Sequence, residues 1–177
     1  MESRDPGSEI TIRCSVFGRT QKFAFFFLHF FHFFIQVYFK NYMKLTKNSV
    51  EQLLHQLDGL NISSFIRLLT EQYPDQVTFS TSFSFEDQAI THEILSNQLP
   101  VKIFTLDTGR MFAETYSVWS STNEAYKTNI KAYYPNQDGL QQFVESNGPN
   151  SFYESVDNRK ACCFIRKVEP LKRALAG

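Results

Sequence analysis

The sequence predicts an α/β protein, a parallel sheet covered by helices. Beyond residue 76 the chain alternates short β-patterned runs with longer helical ones through links of a few residues, which is the signature of such a sheet. The composition agrees: 177 residues, 42% hydrophobic and 20% charged, are enough for one compact domain with a sizeable core. Eighteen basic and eighteen acidic side chains are interspersed, so overall charge offers no basis for a nucleic acid or an anionic membrane as partner.

In chain order, the first stretch stands apart. Residues 23–39, "FAFFFLHFFHFFIQVYF", hold nine of the nineteen phenylalanines. The run falls short of the roughly 20 apolar residues of a membrane span, and His29, His32 and Gln36 interrupt it. No small-residue cleavage site follows in "VYFKNYMKL", which argues against a secretory leader. Met43 then opens "MKLTKNSVEQLLHQL" like an ordinary protein start. Residues 1–42 are therefore expected to be a spurious or non-core extension, of the composition that translated T-rich noncoding DNA has, with the folded domain over 43–177. That extension carries five basic and three acidic residues, leaving thirteen against fifteen in the domain.

Within the domain, Ser49 and Gln52 resemble a capping box, and Val50, Leu53, Leu54 and Leu57 recur at helical spacing, so 49–58 reads as an amphipathic helix ended near Gly59. A second helix is expected over 64–72, stopping before Pro74. Then "QVTFS" (76–80) reads as a strand, 84–98 as a helix and "VKIFTL" (101–106) as a buried strand. A helix over 111–127 and a third strand, "IKAYY" (130–134), complete the pattern.

Ligands of such sheets sit beyond the carboxyl ends of the strands. The first strand ends in "STSFSFEDQ" (80–88), where Ser80, Thr81, Ser82 and Ser84 run into a helix bearing Glu86 and Asp87. Free amides and hydroxyls there suit a phosphate or sulfate, or else serve only to cap the helix, with Ser84 accepting from the amide near Asp87. No G-x-x-x-x-G-K loop is present. The second strand ends in "LDTGRMF" (106–112). Asp107 there either accepts ribose hydroxyls, with Gly109 giving close backbone approach to a base, or belongs to a plain turn capped by Thr108.

Three cysteines, Cys14, Cys162 and Cys163, form no spaced disulfide framework, which points to a reducing compartment, the cytoplasm. Adjacent cysteines rarely bridge each other, so Cys162 and Cys163 either pack or share a metal. The nearby Arg166 and Lys167 favour thiolates and anionic clusters.

The serine-rich loop, "LDTG", and "CC-x-x-RKVEPL-x-x-AL-x-G" over 162–177, in that order, resemble the assimilatory adenylyl-sulfate / phosphoadenylyl-sulfate reductase family over about residues 49–177. The resemblance implies an adenine nucleotide alpha-hydrolase-like (PP-loop-like) fold. It also implies reduction of adenylyl sulfate or phosphoadenylyl sulfate to sulfite and AMP or adenosine bisphosphate, with thioredoxin or a similar dithiol as donor. In the double-cysteine branch it implies a 4Fe-4S cluster, with Cys162 and Cys163 as two of four ligands. It places Ser80, Thr81 and Ser82 in the modified phosphate loop and Asp107, Thr108 and Gly109 on the nucleoside side. Lys167 becomes a cation near cluster and substrate, with Arg166 its neighbour.

Two departures stand out. Ser84 replaces a glycine common in relatives, and the C-x-x-C pair and the E-C-G-x-H segment, whose cysteine is the nucleophile, are not in these 177 residues. No catalytic residue is therefore assigned. The expectation is a C-terminally truncated chain, inactive alone, or alternatively a non-catalytic adenine-nucleotide-binding remnant.

Overall fold

Three parallel strands in the order β1-β2-β3 form the sheet, with β1 at Thr78–Thr81, β2 at Lys102–Leu106 and β3 at Lys131–Tyr133. The protein's structure, a computed structural model, describes residues 55, 56 and 58–176. The expected 1–42 extension, its phenylalanine run and Cys14 lie outside the described residues. So does most of the helix expected over 49–58, of which His55 and Gln56 are helical.

Helix α1 (Ile62–Gln72) begins two residues before the expected start, because Asn61 caps it by accepting from the Ser64 amide at 2.9 Å. Its buried face, Phe65, Ile66 and Leu69, packs against α2 (Phe85–Ser96). Helix α3 (Ala113–Tyr126) joins β2 to β3. Register pairs Phe79 with Ile103 and Ser80 with Phe104, then Phe104 with Lys131 and Leu106 with Tyr133. Because the strand order runs one way across the sheet, right-handed crossovers put α2 and α3 on the same face.

The other face is covered from the chain's far end. After α4 (Gln137–Asn147) and a 3-10 turn (Ser151–Tyr153) come α5 (Val156–Cys163), a π-helical turn (Phe164–Val168) and α6 (Glu169–Ala176). Leu171 and Ala174 of α6 bury against Phe104 of β2, flanked by Leu106, Tyr133 and Leu175. Burial of side chains the size of Leu171 and Phe104 stabilises by about 1.5–3 kcal/mol each, which holds the whole C-terminal helical run to the sheet. Of the elements after β3, α4 and α5 bury no residue fully, whereas α6 turns Pro170, Leu171 and Ala174 inward at helical spacing.

The π turn has a cause in the sequence. Pro170, in the first turn of α6, has no amide to donate, and its ring would clash with the carbonyl four residues earlier, that of Arg166. The backbone widens there, and the Glu169 amide donates to Phe164 five residues back. That extra residue in the turn sends Arg166 inward, 9% exposed, while Lys167 stays exposed.

Candidate functional site

The carboxyl ends of β1 and β2 carry two loops of opposite character. In the loop after β1, Ser84 is the N-cap of α2 and accepts from the Asp87 amide at 3.4 Å. Asp87, 3% exposed, reaches back so that one carboxylate oxygen accepts from both the Ser82 amide (2.6 Å) and the Ser82 hydroxyl (2.7 Å). The Phe83 amide donates to the Thr81 hydroxyl at 3.0 Å, and Phe83 takes φ +60°, a left-handed conformation that non-glycine residues rarely adopt. Ser82 is thus not free to donate to an anion while these contacts hold. Ser80, half-buried, shares with its register partner Phe104 the face that α6 covers.

In the loop after β2, Asp107 is 4% exposed, and its amide donates to the Tyr133 carbonyl at 3.1 Å. Its carboxylate accepts from the Gly109 amide at 2.8 Å and from the Tyr116 hydroxyl at 3.0 and 2.9 Å. Thr108 is not the cap of α3, a place taken by Phe112; its hydroxyl accepts from the Arg110 amide at 3.3 Å. Gly109 takes φ +68°, and a Cβ there would stand 3.4 Å from Nη1 of Arg166. The group that approaches Gly109 is therefore the protein's own guanidinium. Tyr116 is a site residue that no motif marked, and its phenol proton is held above the ordinary value, first by the hydrogen bond to Asp107 and then by burial.

Arg166 donates from Nη1 to the Thr108 carbonyl at 2.6 Å, while its buried Nε has no partner. No carboxylate pairs with this guanidinium among the described residues, where Arg173–Glu169 is the ion pair found. A nine-tenths-buried cation without a counter-charge is costly unless an anion supplies one. Arg110 points elsewhere, donating to the Pro149 carbonyl and Asn150 Oδ1 at 2.9 and 3.0 Å and lying 4.9 Å over the Phe152 ring.

Cys162 and Cys163 are consecutive, form no disulfide and are half-buried at the end of α5, just before the π turn. Two thiols in this position fit half of a four-thiolate set. No group of three or more His, Cys, Asp or Glu side chains able to hold a metal occurs among the described residues. A groove of 380 Å³ lies at the opposite, amino edge of the sheet, where Val77, Ile103 and Leu175 contribute to its lining. None of the expected site residues borders it. No helix among the described residues is long and apolar enough to cross a membrane.

Comparison with known proteins gives the chain's relatives. The chain is 49% identical over 102 residues to the adenosine 5′-phosphosulfate reductase of Burkholderia cepacia, covering 58% of this chain and 41% of that protein. To the enzyme of the same name from Sinorhizobium fredii strain NBRC 101917 / NGR234 it is 43% identical over 122 residues, covering 69% and 48%. It thus spans less than half the length of either relative. In fold it is similar to the phosphate complex of phosphoadenylyl-sulfate (PAPS) reductase from Candida auris, with a TM-score of 0.61 at 23% identity over 75% of this chain and 63% of that one. Residues 76–177, running from β1 through the LDTG turn to Arg166 and α6, match the phosphoadenosine phosphosulfate reductase domain, and the chain belongs to that family.

Proposed function

We propose that residues 43–177 form the nucleotide-binding part of a thioredoxin-dependent reductase of adenylyl sulfate or phosphoadenylyl sulfate, working in the cytoplasm in sulfate assimilation. The observation that carries this reading is Arg166: a buried guanidinium lacking a carboxylate, fixed against the LDTG turn at the sheet's carboxyl edge. Relatives named as adenosine 5′-phosphosulfate reductases support the reaction class. Arg166 would take the phosphosulfate oxygens and Lys167, exposed beside it, would add charge from the solvent side. Asp107, Thr108 and Gly109 would face the nucleoside, with Ser80, Thr81 and Ser82 framing the phosphate side.

In this reading a thiolate attacks the sulfate sulfur, the bond from sulfur to the AMP phosphate oxygen breaks, and AMP leaves with that electron pair. The S-sulfocysteine formed is then released as sulfite by an external dithiol, which becomes a disulfide. The attacking cysteine belongs to the E-C-G-x-H segment, which these 177 residues do not hold, so by themselves they bind nucleotide without turnover. A 4Fe-4S cluster would be held through Cys162 and Cys163 and, when bound, would supply redox and electrostatic tuning beside the substrate. Exposed Phe85 and Phe112, at the starts of the helices that follow β1 and β2, would serve the dithiol partner as a docking rim. Residues 1–42 remain, in this proposal, a non-core extension.

Calorimetry with AMP, which keeps the nucleoside and phosphate, tests the reading. Asp107→Ala should weaken binding by roughly 1 to 3 kcal/mol, and a wild-type chain that ignores AMP would refute it. With a family-type C-terminal segment restored, anaerobic reconstitution should load about four irons per chain, and Cys162→Ser or Cys163→Ser should prevent it. A restored protein that reduces its substrate free of iron and sulfide would make the cysteine pair packing residues.

A further inference from the structure

We infer that Tyr116 is a positioning residue for the anion site, its hydroxyl holding Asp107 in the geometry that sets the Thr108 carbonyl against Arg166. The inference rests on the reading of Arg166 as the anion ligand. Four contacts carry it in sequence. The Tyr116 hydroxyl lies 3.0 and 2.9 Å from the two Asp107 oxygens. Asp107 Oδ1 in turn accepts from the Gly109 amide at 2.8 Å, closing a turn with Thr108 at its centre. The carbonyl of Thr108 then receives Nη1 of Arg166 at 2.6 Å.

What makes the phenol decisive is the burial of Asp107. At 4% exposure its carboxylate needs donors from the protein, and among the described residues Tyr116 is the side chain that provides one. Without that donor, the carboxylate would rotate toward water or toward the guanidinium close to the same turn. Pairing with Asp107 would neutralise the positive charge that the site offers to an anion. Tyr116 thus keeps the aspartate occupied and apart from the arginine. The ring itself is held in place: it stacks on Trp119 with centroids 6.4 Å apart, and Trp119 stacks on Phe83 at 5.6 Å. The phenol's position is thereby tied to the loop after β1 as well.

Tyr116→Phe in the full 177-residue chain tests this, with Tyr126→Phe as control. Tyr126 closes the far end of the same helix, where its hydroxyl meets His92 Nδ1 at 2.6 Å, away from the site. Calorimetry with AMP and with adenosine should show Tyr116→Phe losing about tenfold in affinity for AMP, the scale of one hydrogen bond to a charged group. Adenosine, which gives Arg166 no phosphate and feels only the change on the nucleoside side of the turn, should lose clearly less than AMP does. Amide hydrogen exchange should quicken at Gly109 and stay slow at Thr91 in the core of α2. Tyr126→Phe should change neither measurement. Unchanged Gly109 exchange in Tyr116→Phe overturns the inference, and so does an equal loss for both ligands with general loss of protection, which would mark a purely structural tyrosine. If the wild type binds no AMP, the assignment of Arg166 fails, and Gly109 exchange still decides whether Tyr116 holds the turn.

Discussion

The loops after β1 and β2 occupy equivalent places in the fold and use the same kinds of residue, yet they end in opposite electrostatic states. After β1 the charge at the turn is the carboxylate of Asp87, and the protein answers it with the Ser82 amide and hydroxyl. After β2 the carboxylate of Asp107 is likewise answered, by Gly109 and Tyr116, but the turn also gathers the guanidinium of Arg166, which pairs with no carboxylate among the described residues. A loop whose polar groups close on one another holds shape, whereas one left with a buried unpaired charge is poised for a ligand. Hydroxyl content does not separate the two cases.

Arg166→Ala should expose this contrast most strongly. Affinity for AMP should fall by about 3 kcal/mol, roughly hundredfold, through lost charge-assisted hydrogen bonds. Thermal stability should hold or rise, because an uncompensated cation leaves the interior. A large fall in melting temperature with AMP binding intact would mean that Arg166 serves packing, and the contrast would collapse.

Asp87→Ala should give the reverse pattern with a smaller effect. It strands the amide and the hydroxyl of Ser82, the residue next to Phe83 at φ +60°. The expected loss is about 2 kcal/mol of stability, read as a lower denaturant midpoint at unchanged slope. AMP affinity of the folded fraction should stay within about twofold of wild type. If affinity instead rises, the freed Ser82 groups bind phosphate, and the loop after β1 joins the site as a ligand.

The sequence made the sheet legible because short apolar, β-rich runs alternate with longer stretches between Val77 and Tyr133, and each strand falls within two residues of its expected bounds at either end. The covering of the second face was not legible element by element. α5 buries no residue fully, and the site depends on a π turn forced by Pro170, which periodicity cannot show. Among site residues, Arg166 was marked by its motif as a neighbour of Lys167, yet the turn gives it the buried position and leaves Lys167 to solvent. The occupation of Ser82 by Asp87 and of Asp107 by Tyr116 are contacts five and nine residues apart, set by how loop and helix meet. Only Ser84, as helix cap, was readable from local chemistry alone.

The smallest predicted effect is a pH dependence that belongs to the loop after β2. Tyr116 holds its proton above the ordinary tyrosine value, chiefly through its hydrogen bond to Asp107. A folded value raised above the unfolded one means that this stabilisation is fully present below about pH 10 and is lost as pH rises through the folded value. Stability from neutral to mildly alkaline pH should therefore be flat with respect to this group, with a shallow fall confined to strongly alkaline solution. Tyr116 is 41% exposed, so solvent screening keeps the fall small. Absorbance titration of the phenolate alongside denaturant melts should locate it, and Tyr116→Phe should remove that limb. An alkaline limb of the same size in Tyr116→Phe would show that the phenol–carboxylate contact does not hold the turn in solution, leaving Gly109 as the sole restraint on Asp107.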